Sequence, residues 1–596
     1  MLKRFFLNAL SSFLGAWIAL AIFGVVFVMV IISLVGKFGS ANIPNINVSK
    51  GSVMTLDLEG EIIENDIPAE FDYTEIIQGE IVKKKSLSSI IKAIETAAEN
   101  RNIDAIYLRC GVTSAAPATF NAIREALLKF KESGKKILAY ANTYMMGDYF
   151  VATVADEIYL NPGGTVALQG LGGINFFFKD LLDKLGVDVQ VVKVGTYKSA
   201  VEPYILNSMS QPARAQLDTL YGNMWRYIRE GMSTQRKNVS PAQIDSLVSN
   251  DFIFIRNAKY ALNNGLVDSL AFERSMDSII ASSLGKNKDK LNFVPPYVLT
   301  SQEQMMSGYM SKNQIAVLYA SGEIIDGGGN SSINYQRFVP IITELADNEN
   351  VKGMVLRVNS PGGSVFGSEQ IGDALDYFRS KGKPLAVSMG DYAASGGYWI
   401  SCCADKIFAD PLTITGSIGI FGLIPNVDKL MQKIGLNAEI VATNPEAQFP
   451  NFIKPLNQRQ LDAMQKMVSE GYDQFIARVA KGRNLPEAEV RRIGEGRVWD
   501  AESALRLKLV DALGGLDDAI DWVSKEIDND NYTLSYYPRM ENSVWDFLPE
   551  IVNMQLNVNL YDKIGEDVPV KLYDRIMRLL NQYPVQARMP EISVTL

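Results

Sequence analysis

Two copies of one plan lie end to end in this 596-residue chain. A tandem duplication constrains the fold more than composition does, because both halves must satisfy the same pattern. The first copy runs through Gly60-Glu61-Ile62-Ile63, Ile103-Asp104-Ala105-Ile106-Tyr107-Leu108-Arg109 and Ala155-Asp156-Glu157-Ile158. The second answers with Gly322-Glu323-Ile324-Ile325, Val351-Lys352-Gly353-Met354-Val355-Leu356-Arg357 and Ala404-Asp405-Lys406-Ile407. Between the Arg and Ala-Asp landmarks the offset drifts by a single residue. Further on, Ala261-Leu262 and Gly265-Leu266-Val267-Asp268 recur as Ala504-Leu505 and Lys508-Leu509-Val510-Asp511. The order never breaks. A first repeat over residues 41–300 and a second over 301–541 follow, with residues 1–40 ahead of them and a C-terminal extension, 542–596, behind.

Comparing the copies locates the chemistry. The second holds Ser360-Pro361-Gly362-Gly363-Ser364 where the first has Val112-Thr113-Ser114-Ala115-Ala116, without a glycine pair. It also holds Ala394-Ser395-Gly396-Gly397-Tyr398-Trp399, and the Ala-Asp alignment sets Met146 opposite Ser395. The first copy alone carries Val194-Gly195-Thr196-Tyr197-Lys198-Ser199; aligned on Gly186 and Gly435, the second has Ala447 opposite Lys198. A glycine loop and a serine survive in one copy, a lysine in the other.

The chain contains no histidine. That removes every Ser-His or Cys-His arrangement and every His-ligated metal site. A serine hydroxyl needs a neighbouring base to take its proton, and a Ser-Lys pair is one variant of the triad logic. Lysine titrates near 10.4 in water, and burial lowers that because desolvation disfavours the charged form. Met145, Met146 and Tyr197 are candidate apolar surroundings. Ser395 is therefore the candidate nucleophile and Lys198 the candidate base. Leu356-Arg357-Val358-Asn359 reads as the end of a buried strand and Ser360-Pro361-Gly362-Gly363 as a turn leading to a helix near Ser364. The backbone of Gly362 and Gly363, with the N–H of Gly396 just after the nucleophile, is the candidate oxyanion site.

Arg357-Val358-Asn359-Ser360-Pro361-Gly362-Gly363-Ser364, Ala394-Ser395-Gly396-Gly397-Tyr398-Trp399, Thr415-Gly416-Ser417-Ile418-Gly419 and Gly195-Thr196-Tyr197-Lys198-Ser199-Ala200-Val201-Glu202-Pro203 together resemble the signal peptide peptidase A (protease IV) family in its long, two-domain form. The likeness spans residues 52–527. It implies Ser395 as nucleophile, Lys198 as general base and Ser417 as the hydroxyl that orients Lys198. It also implies hydrophobic peptide substrates (signal peptides left in the membrane), a ring-like homo-tetramer with the dyad inside each chain, and no cofactor. The implied fold is α/β, with tandem crotonase-like (Clp protease-like) domains of stacked ββα units, helical extensions and one N-terminal transmembrane helix. From the residues alone, the dyad forms between the two repeats, within one chain or between neighbours.

Lys3 and Arg4 precede an uncharged run whose densest apolar part is Phe13 to Leu34. Its 22 residues span about 33 Å as a helix, enough for a hydrocarbon core about 30 Å thick. A cleavable signal peptide carries a shorter apolar region, so an uncleaved anchor is expected. The flanking charges favour a cytoplasmic N-terminus. The resemblance places the body on the periplasmic side of a bacterial inner membrane. Lys and Arg number 58 against 67 Asp and Glu, a net charge of −9, which argues against nucleic acid as a partner. Cys110, Cys402 and Cys403 are too few for a disulfide framework, and the last two read as small core residues. No metal-ligand spacing appears. Strand-like runs alternate with helical ones in an α/β plan, for example Ile315–Tyr319, Gly353–Arg357 and Leu385–Ser388 against helices over Pro340–Ala346 and Gly367–Phe378. Two other readings share parts of this pattern. An acyl-CoA enzyme would use the same oxyanion loop without the Ser-Lys pair, and a membrane scaffold would suit the first repeat alone.

Overall fold

The computed structural model describes residues 48–64, 84–300, 313–327, 332–444, 446–529, 531–539, 585–590 and 592. The apolar run Phe13–Leu34 lies outside these residues, and no helix among them is long and apolar enough to cross a membrane. Residues Gly51–Leu596 group as one compact unit.

The first repeat builds a parallel sheet from β1 (Ser52–Ile63), β2 (Ile103–Ser114), β3 (Lys136–Ala141) and β4 (Glu157–Leu160), paired in that order. Helices α1 (Leu87–Glu99), α2 (Pro117–Glu132) and α3 (Met146–Ala152) connect them. Ala105, Ile106 and Leu108 are fully buried in succession on β2, as a parallel strand covered on both faces requires. Beyond this sheet come β5 (Asp188–Val194) and the long helix α4 (Gln211–Gln235).

The second repeat runs β6 (Gln314–Ser321), α5 (Tyr335–Asp347), β7 (Val351–Ser360), β8 (Gly362–Ser364), α6 (Val365–Ser380), β9 (Leu385–Ala394), α7 (Gly396–Ser401) and β10 (Lys406–Ala409). Then follow β11 (Ile414–Gly416), β12 (Ile420–Asn426), α8 (Gln458–Arg483), β13 (Val498–Asp500) and β14 (Thr533–Tyr537). Its main sheet has the order β13-β11-β9-β7-β6-β14.

The repeated landmarks are the same devices used twice. Lys135 Nζ donates to the carbonyls of Ala97, Ala98 and Asn100, which end α1. Lys383 Nζ does the same at Leu345, Ala346 and Asn348, which end α5. A helix leaves its last carbonyls without internal partners, and one ammonium satisfies three of them. Asp156 accepts the N–H of Ile137 as Asp405 accepts that of Leu385, each at a strand entrance. Asp268 and Asp511 accept from Ile158 and Ile407. Tyr149 and Tyr398 each donate a buried hydroxyl hydrogen bond, to the carbonyls of Leu266 and Leu509. Cys110, Cys402 and Cys403 are free and buried.

Two local expectations change. The helix expected from Pro340 begins at Tyr335, with Pro340 inside it, because the Asn334 side chain caps the N–H of Gln336. Ser360-Pro361-Gly362-Gly363 is not a simple turn. β7 ends at Ser360 and the chain crosses directly into β8, which belongs to another sheet. Gly362 and Gly363 have φ of 96° and 152°, a region that favours glycine.

That other sheet joins the repeats. In it β8 and β12 of the second repeat lie with β5 of the first. β5 pairs antiparallel with β12 along its whole length, from Val194↔Ile420 to Asp188↔Asn426.

Candidate active site

Ser395 occupies the junction between β9 and α7. Its φ of 56° and ψ of −113° are rare for a residue with a Cβ and form a sharp elbow. Two backbone bonds hold it: Ser395 N–H to the Gly416 carbonyl and Trp399 N–H to the Ser395 carbonyl, both 2.8 Å. Its side chain does not cap α7. It meets Lys198 instead, with Nζ 2.8 Å from Oγ.

Lys198 reaches Ser395 through the strand register. Val194 lies opposite Ile420, so the chain leaving β5 meets the chain entering β12 where Ser417 lies. Lys198 Nζ is 3.0 Å from Ser417 Oγ and 3.2 Å from the Ser417 carbonyl. Ser417 has φ 52° and donates its N–H to Arg497 at 2.6 Å. Lys198, Ser395 and Ser417 are all completely buried.

Residues 495–499 form a cradle for Lys198 that the sequence reading missed. Tyr197 N–H donates to the Glu495 carbonyl at 2.9 Å, and the N–H and hydroxyl of Thr196 donate to the Glu495 carboxylate. Gly496 packs so closely that a Cβ there would lie 2.7 Å from Lys198 Cβ. The Arg497 guanidinium stacks between Tyr197, 5.0 Å from its ring centroid, and Trp499, at 4.1 Å. The glycines flanking Glu495 in Gly494-Glu495-Gly496-Arg497 were the available signal, and they fall in no motif compared between the repeats.

Burial alone pushes Lys198 well below the ordinary lysine range. The Phe421 ring centroid stands 6.0 Å from Nζ. Met145 and Met146 lie elsewhere in sequence and fold, at the start of α3 in the first repeat. A buried amine without a carboxylate beside it is neutral at a pH where solvated lysines are charged, and a neutral amine accepts a hydroxyl proton.

The glycine loop packs against the start of α7. A Cβ on Gly362 would come within 2.6 Å of the Gly396 nitrogen, and one on Gly397 within 2.7 Å of the Ser360 carbonyl. Gly362 N–H donates to Ser360 Oγ at 3.2 Å, which leaves Gly363 and Gly396 as the candidate oxyanion donors.

The first repeat lacks this set of side chains. The matching Tyr149 and Tyr398 bonds place Met146 where Ser395 stands. Its neighbour Asp148 is buried, pushed up to about 7 by desolvation, and accepts from Thr113 at 2.6 Å. Ala447, opposite Lys198 by sequence, lies in an exposed turn, and no strand equivalent to β5 forms around it among the described residues.

The Peptidase family S49 model matches residues 129–283 and again 377–529, just over half of the chain. The chain belongs to peptidase family S49. Protease 4 of Haemophilus influenzae is 33% identical to this S49 chain over 95% of it and 92% of the relative. Protease 4 of Salmonella typhi is 36% identical over 82% of this chain and 80% of its own. A putative signal peptide peptidase SppA of Enterococcus faecium is 29% identical over 46% of this chain and 83% of its own. A Clp protease model matches residues 307–412. The protein is a serine peptidase with a Clp protease-like α/β fold in tandem S49 repeats.

Proposed function

We propose that this S49 peptidase is a membrane-anchored endopeptidase that degrades released signal peptides, with Ser395 as nucleophile and Lys198 as base. The 2.8 Å approach of Lys198 Nζ to Ser395 Oγ, in a buried site of a chain without histidine, carries the reading. Neutral Lys198 takes the hydroxyl proton as Ser395 Oγ attacks the substrate carbonyl. The N–H groups of Gly363 and Gly396 stabilise the oxyanion, and the Lys198 ammonium returns the proton to the leaving amine. Water then hydrolyses the acyl-enzyme by the same route in reverse.

The apolar run Phe13–Leu34 behind Lys3 and Arg4 supports an anchor with the peptidase body on the periplasmic side of a bacterial inner membrane. That position suits apolar peptides left in the bilayer. Exposed Ile174, Phe176, Ile434 and Val441 offer apolar surface for the tetramer that the family resemblance implies.

A fluorophosphonate probe should label the full chain at Ser395, located by mass spectrometry of the digest, and should not label Lys198→Ala. Labelling at another serine, or none in a protein that hydrolyses peptides, moves the nucleophile. Ser417→Ala should lower kcat about two- to tenfold without abolishing it. Only one hydrogen bond to Lys198 is lost, worth about 0.5–1.5 kcal/mol net, and the Ser417 carbonyl remains. An unchanged kcat would remove the Ser417 hydroxyl from the site.

A further inference from the structure

A cavity of about 420 Å³ lies between the repeats, and neither Ser395 nor Lys198 lines it. Helices α1 and α2 of the first repeat form one wall. Tyr319, Asp410 and the turn Leu513–Asp518 of the second form the other. Two of its carboxylates, Glu125 and Asp518, are exposed, and the exposed Lys92 and Lys129 balance them. The remaining four, Glu64, Glu95, Asp410 and Asp517, face a single cation, Arg357, which Glu64 already holds at 2.6 Å. Lys129 approaches Asp517 only to 4.0 Å. Glu95, Asp410 and Asp517 are thus carboxyls in surplus.

Protons stand where a further cation would. Burial and the facing Asp517 push Glu95 up to about 8, and Lys92 and Lys129 offset this only in part. Burial pushes Asp410 up to about 7, although Asn121 Nδ2 and the Leu412 N–H both donate to it. The two points are separate: Asp410 feels Asp391 and Arg357, whereas Glu95 feels Asp517 and the lysines. Tyr319 stacks on Tyr536 with ring centroids 6.4 Å apart, and Tyr227 lines the same cavity. Aromatic faces attract cations. Tyr319 is 4% exposed, yet its hydroxyl makes no hydrogen bond, while Ser88 near it is paired with Ser86. A buried hydroxyl in that state is costly, and a ligand at the site would satisfy it. Among the described residues no three acidic side chains converge as a metal ion requires, so the charge pattern suits an extended organic cation.

We propose that this cavity binds a linear diamine as its diammonium cation, with one ammonium between Glu95 and Asp517, the other at Asp410, and the alkyl chain against Tyr319. Such a ligand bridges the two repeats. The site is independent of the roles given above to Ser395 and Lys198 and stands or falls without them.

Cadaverine titrated calorimetrically into the full-length chain tests it. Near neutral pH the diamine should displace the proton on Glu95, so the heat should change between phosphate and Tris buffers of the same pH. Pentylamine, with one ammonium, should bind at least about tenfold more weakly, since a charge-assisted contact is lost. Magnesium chloride at the same concentration should not compete. Glu95→Gln keeps the shape but not the charge, and should lower cadaverine affinity about tenfold and remove the buffer dependence. Tyr319→Phe removes only the unbonded hydroxyl and should cost about threefold, which keeps the test open if Glu95→Gln folds poorly. Cadaverine should also raise the thermal midpoint of the wild type, because it binds only where both repeats are folded together. No binding overturns the site, as does equal binding of cadaverine, pentylamine and magnesium. Undiminished affinity in both variants, or a heat independent of buffer, overturns it as well.

Discussion

Lys198→Met, Lys198→Arg and Ser395→Ala should each lower kcat/KM on a peptide substrate by about 10⁴-fold or more, since residues acting as one unit lose nearly everything when any is removed. The three fail for different reasons. Ser395→Ala deletes the attacking atom. Lys198→Met keeps the length and apolar stem of the side chain in its buried place against Gly496 and Phe421 but has no lone pair to accept the proton. Lys198→Arg retains a charge that does not leave at accessible pH. For the wild type, kcat/KM should rise with pH as Lys198 loses its proton. Because burial lowers the pKa of that amine, the rise should fall below the value of about 10.4 for solvated lysine. Rates measured from pH 6 to 11, with circular dichroism to verify folding, check both points. An active Lys198→Arg protein, or a rise centred at the solvated value, removes Lys198 as a desolvated base.

The candidate catalytic side chains were legible because they sit in short motifs and because the two repeats keep complementary ones. Each Ala-Asp or Val-Asp landmark also proved to be a strand-capping carboxylate, which explains why it persists in both copies while Ser395 and Lys198 do not. What stayed hidden is non-local. Nothing near Asp188 says that its strand will pair with residues 420–426, and nothing near Ala587 says that four residues will enter the sheet beside Gly363. Such pairing depends on edges left open by other segments, not on local periodicity. The Glu495-Gly496 cradle is similar: its fit to Lys198 is a matter of backbone approach. Pro340 misled because proline favours a first helical turn, yet the Asn334 cap fixes the start five residues earlier.

Glu64→Ala should destabilise the protein by about 3–5 kcal/mol, more than any surface substitution, because it strands a buried charge at the junction of the repeats. Arg357 Nε is 2.6 Å from Glu64 Oε1, and each side chain is only 7% exposed. The same guanidinium donates to Ser388 Oγ and the Met389 carbonyl, while Asn359 donates to both Glu64 and Asp391. Asp391 in turn accepts from the N–H and hydroxyl of Thr119 in the first repeat. Arg357 and Asn359 lie on β7, which leads straight into Gly362 and Gly363, so the network that joins the repeats also anchors the candidate oxyanion loop. Glu64→Ala should therefore lower the urea midpoint and also lower kcat, although no reacting atom is touched. Glu64→Gln keeps an acceptor and should lose less of both. The double replacement Glu64→Met with Arg357→Met removes both charges and should recover most of the stability, since it leaves neither ion buried alone. It should not recover kcat, because Asn359 keeps only Asp391 of its two carboxylate partners and the bonds from Arg357 to Ser388 and Met389 are gone. A Glu64→Ala protein with a wild-type midpoint would show that the Glu64–Arg357 pair contributes nothing to joining the repeats.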